Sequence, residues 1–175
     1  MDAFPRKTPI VLLVSQSVLR ILVIALTVTA ICLTFTAKQT VEFLGIEFYA
    51  KYSYSPAFRY FVSTNIVVVV LSIISLLFLF IYVKSTTPYR CYNIFVCDFI
   101  ATVLGVSGCA AAASIGYVGR YGNGHSGWSP ICDYVDKFCN RIQISLICSG
   151  LGLILLVVLT FWSAIRITKL VTISR

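Results

Sequence analysis

Four apolar stretches, each long enough to cross a bilayer and two of them holding a lone charge well inside, constrain this chain more than any other feature. A hydrocarbon core of about 30 Å needs about 20 apolar residues in a helix, and residues 10–36, 58–83, 91–118 and 142–165 all exceed that length. Lipid offers backbone groups no hydrogen-bond partners, so each stretch is expected to be helical. The mean hydropathy of +0.94 and the 11% of charged residues agree, because an average soluble domain carries roughly 25% charged residues. The expected fold is an all-α integral membrane protein, one domain over residues 1–175 built as an antiparallel bundle of four transmembrane helices. Outer loops are expected at 37–57 and 119–141, which leaves no room for a soluble catalytic domain.

The first stretch has small residues near Ala37, as a signal-peptide processing site would. Its apolar run exceeds the roughly 7–15 residues of a signal h-region and carries Arg20 at its centre, so it is read as a permanent helix.

A net charge of +8 suggests nucleic acid only when basic residues form a patch interleaved with exposed aromatics. Here the charges sort by membrane side instead. With the N-terminus inside, Arg6, Lys7, Lys84, Arg90, Arg166, Lys169 and Arg175 lie on short cytoplasmic segments. Lys38, Lys51, Arg59, Arg120, Lys137 and Arg141 are spread through longer outer loops, together with Glu42, Glu47, Asp133 and Asp136. Basic density in the short segments places both termini in the cytoplasm. The loop between the third and fourth stretches holds Cys132 and Cys139. A disulfide between them is expected in preference to two free thiols, and it would persist only in an oxidising compartment, which agrees with an outer loop. On a continuous helix their Cα atoms would be about 10.5 Å apart, beyond bridging range, so pairing requires the loop to fold back.

Arg20 and Asp98 are the two charges well inside the spans. Each costs roughly 3 kcal/mol at mid-bilayer, and two opposite charges retained there are expected to pair. Arg20 lies about 15 Å and Asp98 about 12 Å from the same membrane face, counting helical rise. The depths match within one turn, which points to a clasp between the first and third helices, and no further charge lies well inside the spans from which a proton or ion route could be built.

Other polar residues form stripes. Ser17, Arg20, Thr27 and Thr34 in the first helix and Asn65, Ser72 and Ser75 in the second are expected to face other helices. Ala101, Gly105, Cys109 and Ala113, beside Gly108, Ala112 and Gly116, give the third helix a face of small residues. Such faces let backbones approach closely, so the third helix is expected to be the central element, with Ser145, Cys148, Ser149 and Gly152 as a complementary face on the fourth. The aromatic first loop is read as interfacial anchoring in preference to a hairpin turning at Gly45, and Trp128 as a further interfacial anchor. The connection around Pro88 fits only an antiparallel turn.

Chemistry-bearing constellations are missing from the pattern. His125, the only histidine, sits in a glycine-rich loop, and no catalytic triad, phosphate loop, paired catalytic carboxylates or zinc spacing can be assembled. The chain is therefore expected to be no enzyme and to need no cofactor or metal. It also has no N-glycosylation sequon.

Arginine within VLRILV, the SPAFRYFVSTNIV entry to the second helix, CDFI in the third, and the WSPIC…DKFCNR loop stand in an order that resembles the plant Casparian strip membrane domain protein family. The resemblance covers nearly the whole chain and is strongest to the CASP-like members, which are related to the MARVEL four-helix proteins. It implies that Arg20 and Asp98 are the family's intramembrane pair and that Cys132 and Cys139 are its loop cysteines. It also implies a multi-pass plasma-membrane scaffold that forms homodimers, higher oligomers and heteromers with family members. Membrane lipids and cell-wall-modifying enzymes are the further partners it implies, and nucleic acid is not one. The first-loop signature of the Casparian strip proteins proper is absent from residues 40–57, which sets endodermal strip formation apart from the expected role. Claudins carry their cysteine pair in a different loop, and tetraspanins have a larger cysteine-rich loop. A channel or transporter subunit, with a pore lined by the polar stripes after oligomerisation, is the alternative.

Overall fold

The computed structural model describes residues 10–43, 46–81 and 88–173. Four helices dominate it: α1 Ile10–Thr36, α2 Pro56–Ile81, α3 Pro88–Tyr121 and α4 Asp136–Ile173. All four are long and apolar enough to cross a membrane. Both α3, with 34 residues, and α4, with 38, outrun the bilayer core, since a helix rises about 1.5 Å per residue. Prolines open α2 and α3, where a missing N–H costs nothing because first-turn amides have no partner within the helix. The turn expected between the second and third helices falls largely on residues 82–87, outside the described residues.

Burial along every helix alternates in steps of three and four. In α1 the buried positions are Gln16, Arg20, Val23, Thr27, Ala30 and Thr34, and in α2 they include Phe58, Phe61, Asn65, Val68, Ser72, Ser75 and Leu79. The same spacing runs through Asp98, Ala101, Gly105, Gly108 and Ala112 in α3 and from Phe138 through Ser163 in α4. A sustained 3.5-residue repeat keeps one seam facing the bundle axis and gives the shallow left-handed crossing of four-helix bundles. The seam is unusually polar for a core, while Val, Ile, Leu and Phe side chains dominate the outward positions. Such an inside-out distribution suits a lipid surround, where apolar side chains gain nothing by hiding and polar ones find hydrogen bonds only within the bundle.

Each helix packs against two others: α1 with α2 and α4, and α3 with α2 and α4. The helices thus occupy the corners of a square in chain order, with α1 diagonal to α3 and α2 diagonal to α4. This corrects the expectation of a central third helix. Gly105 and Gly108 do allow close packing, but toward α2 and α4: a Cβ at Gly108 would collide with Thr64 Oγ1, and one at Gly105 would lie 3.0 Å from Leu153.

The loop between α1 and α2 differs from its reading as anchoring alone. It forms an antiparallel hairpin of β1 Lys38–Phe43 and β2 Ile46–Lys51, with Lys38 opposite Lys51 and Glu42 opposite Glu47. Gly45, the turn considered for it, lies outside the described residues. Imperfect apolar alternation hid the hairpin, because only Val41 and Ala50 of its described side chains pack on the core beneath. That core, at the loop end of the bundle, gathers Phe58, Phe61, Val62, Ala112, Phe138 and Ile142, and a smaller one in the opposite half holds Val23, Val68, Ala101, Leu156 and Leu159.

Candidate functional site

Seams repeating at 3.5 residues bring one residue from each helix to a common level, and one such level carries the buried charges. Arg20 Nη1 donates to Asp98 Oδ1 at 2.6 Å and Nη2 to Oδ2 at 2.7 Å. Both residues are 1% exposed. The pair is bidentate, the geometry in which a planar guanidinium matches a carboxylate best, and it runs across the bundle diagonal. The other two corners complete the level: Ser75 Oγ donates to Oδ1 at 3.0 Å and Ser163 Oγ to Oδ2 at 3.4 Å. Asp98 thus accepts bonds from three other helices. Among the described residues, Arg20 Nε and Ser72 Oγ are buried without a partner. The sequence reading named Ser75 only as part of a stripe and missed Ser163. Counting helical rise from the same membrane face places Ser75 beside Asp98, whereas Ser163 lies only two residues from the expected end of its span and reaches that level because α4 continues to Ile173.

A second level ties the other diagonal. Ser149 Oγ of α4 donates to Asn65 Oδ1 of α2 at 2.8 Å, while Asn65 Nδ2 donates to the Phe61 carbonyl and Cys109 Sγ sits 3.3 Å from Ser149 Oγ. Nearer the loops, Thr34 and Ser145 hydroxyls meet at 2.8 Å and Ser145 also donates to the Ala30 carbonyl. Thr27 returns its hydroxyl to the Val23 carbonyl. Of the expected first-helix stripe, Arg20, Thr27 and Thr34 are buried, whereas Ser17 lies one step off the seam and is half-buried. Gln16, unremarked in the sequence, is buried in its place. Of the small residues, Ala101, Gly105, Gly108 and Ala112 are buried and Gly116 is half-buried.

The loop end is stapled separately. Cys132 and Cys139 form a disulfide with Cα atoms 5.7 Å apart, and the backbone folds back as such a bridge requires. Ile131 and Cys132 donate their N–H groups to the Gly119 carbonyl at the end of α3. Gly122 stops that helix with φ +69°, the left-handed cap conformation that glycine adopts without cost. Gln39 of the hairpin accepts the Phe138 N–H, one of the unpaired amides in the first turn of α4, at 3.0 Å, and Arg141 of α4 donates to the Thr36 carbonyl at the end of α1. These caps let α4 begin at Asp136, ahead of the apolar run. Trp128 is 60% exposed and bridges backbone to backbone with Asn123. The His125 N–H donates to Asn123 Oδ1 in the same exposed turn. Among the described residues no group of three or more His, Cys, Asp and Glu side chains stands ready for a metal.

The family model of the Casparian strip membrane protein domain matches residues 11–155. A CASP-like protein 1F1 from Vitis vinifera is 45% identical over 147 residues, covering 83% of this chain and 71% of that protein. One from Populus trichocarpa is 42% identical over 167 residues, covering 95% of this chain and 92% of the relative. One from Arabidopsis thaliana is 37% identical over 159 residues, covering 91% and 92%. No solved structure matches the chain.

Proposed function

The chain belongs to the family of the Casparian strip membrane protein domain, and on that premise we propose that it is a plasma-membrane scaffold. It associates with itself and with paralogues into membrane platforms that organise cell-wall-modifying enzymes. Its termini face the cytoplasm, and its hairpin and disulfide loop face outward.

One observation carries this reading. The polar seam residues turn into the bundle and bond one another across both diagonals, so they are not free to line a passage between subunits. What the protein presents to its surroundings is a belt of apolar side chains and a capped, stapled loop end. Surfaces of that kind support lateral packing and no covalent chemistry. The pore alternative needs Thr27 and Asn65 on an intersubunit surface, yet each is 2% exposed inside its own bundle.

Photobleaching of a fluorescent fusion in plant plasma membrane tests the proposal. Expected are patches recovering at least about tenfold more slowly than a single-span control, with reconstituted bilayers remaining electrically silent. Free diffusion would overturn it, as would a conductance abolished by Asn65→Leu.

A further inference from the structure

At the loop end a groove of about 710 Å³ runs between the second hairpin strand, the last turns of α3 and the first turns of α4. Its volume falls within the roughly 300–1,000 Å³ of pockets that take small ligands. Exposed aromatic rings line it: Tyr54, Tyr117 and Tyr121 are each at least 65% exposed, an apolar surface of the kind that usually has an occupant.

Two observations identify that occupant. The charged side chains lining the groove are Lys51 and Arg120, both basic. Lys51 moreover stands directly opposite Lys38 in the hairpin, a like-charged cross-strand pair that disfavours the sheet until an anion sits beside it. Arg120 gives one bond to Gln143 and keeps further guanidinium donors for another acceptor. The second observation is continuity with the membrane-facing surface. The α3 wall of the groove, from Gly116 to Tyr121, is the last stretch of a span apolar enough to cross a bilayer. An acyl chain descending that wall from Arg120 toward Gly116 leads to the apolar part of the same helix.

We propose that this groove binds one phospholipid from the adjoining leaflet, its phosphate held between Lys51 and Arg120 and an acyl chain laid along Gly116 and the tyrosines. Arginine and lysine both suit phosphate, arginine through paired N–H donors. The site goes beyond the scaffold reading and stands whether or not the protein forms platforms.

Native mass spectrometry tests it on the whole chain, released from bilayers that contain phosphatidylglycerol, phosphatidylcholine and diacylglycerol. One phospholipid per protein is expected to remain bound, with no retained diacylglycerol and no displacement by millimolar inorganic phosphate. Lys51→Gln lowers retention by about tenfold, the weight of one charge-assisted bond, and Lys51→Gln with Arg120→Gln lowers it further. Gly116→Leu keeps both charges but fills the groove, since a Cβ there meets only Leu146, at an ordinary 3.8 Å; it lowers retention as much. Arg59→Gln, an exposed cation outside the groove, leaves it unchanged. Wild-type protein without lipid, retention in the lysine and glycine variants equal to that of the wild type, or retention of diacylglycerol equal to that of phospholipid each overturns the proposal. A dimer that these variants abolish, with no lipid bound, assigns the groove to a second copy and also overturns it.

Discussion

Removing one half of the Arg20–Asp98 clasp is expected to harm the protein more than removing both, and the two halves should differ. Asp98→Ala deletes the acceptor of two guanidinium bonds and two serine hydroxyl bonds at once. Arg20 is then a buried cation whose Nε already lacks a partner, and a guanidinium cannot shed its charge. The loss should reach the upper part of the roughly 3–5 kcal/mol that follows breaking a buried pair. Arg20→Ala leaves a carboxyl group that still has Ser75 and Ser163 as donors. Carboxyl groups, unlike guanidinium, can bind a proton and become neutral, so this loss should lie near about 3 kcal/mol. Arg20→Leu with Asp98→Leu strands no charge and spares two insertion costs of roughly 3 kcal/mol each; it should fall within about 1 kcal/mol of the wild type or above it. Unfolding by SDS in bicelles, followed by tryptophan fluorescence, measures the series, and surface abundance in cells should follow the same order. An Asp98→Ala loss under about 1 kcal/mol, or a double variant less stable than either single one, would refute the reasoning.

Three further outcomes follow from the packing and the caps. Gly108→Ala should destabilise by about 1–3 kcal/mol through overpacking, because its Cβ would meet both Oγ1 and Cβ of Thr64; adding Thr64→Ala should recover part of that in the same unfolding assay. Cys132→Ser frees a loop closed across a sequence separation of 7, costing about 2–3 kcal/mol by the loop-entropy relation, and a reductant should shift the wild-type midpoint equally while leaving the variant unmoved. Gln39→Ala removes the acceptor of the Phe138 N–H, so about 1 kcal/mol of cap stabilisation should vanish, read as faster hydrogen exchange over the first turn of α4.

Much of this architecture was legible because lipid makes polar residues informative. Arg20 and Asp98 announced their pairing by sign and depth alone, and helical rise is regular enough to carry that inference across a whole span. What depth does not encode is azimuth. Two residues at one level are compatible with adjacent or diagonal helices, and the long arginine side chain satisfies either. The small residues of α3 suggested a central helix for the same reason: Gly105 and Gly108 announce close approach without saying to which neighbour, and here the neighbours are α2 and α4. Ser17 and Gln16 show the finer limit, since adjacent residues on a helix differ by about 100° in direction and the choice between them needed the seam of all four helices. The hairpin was harder still. Its strands place Lys opposite Lys and Glu opposite Glu, the reverse of the pairing that identifies a hairpin from sequence, and it is held by one cap and a patch of core below it.

The two diagonals explain how an apolar-coated bundle keeps one arrangement. Packing α1 beside α2 or α4 in lipid exchanges one set of apolar contacts for a similar one, so dispersion alone discriminates weakly among helix orders. A polar group left unpaired in hydrocarbon costs several kcal/mol, and that penalty discriminates strongly. Arg20 must reach Asp98 while Ser75 and Ser163 flank the same carboxylate, which assigns all four corners at one level; Asn65 and Ser149 repeat the assignment for the other diagonal at a second level. Any swap of neighbouring helices breaks at least one of these sets. Because the selectivity resides inside, the outward residues are released from the task of specifying the fold.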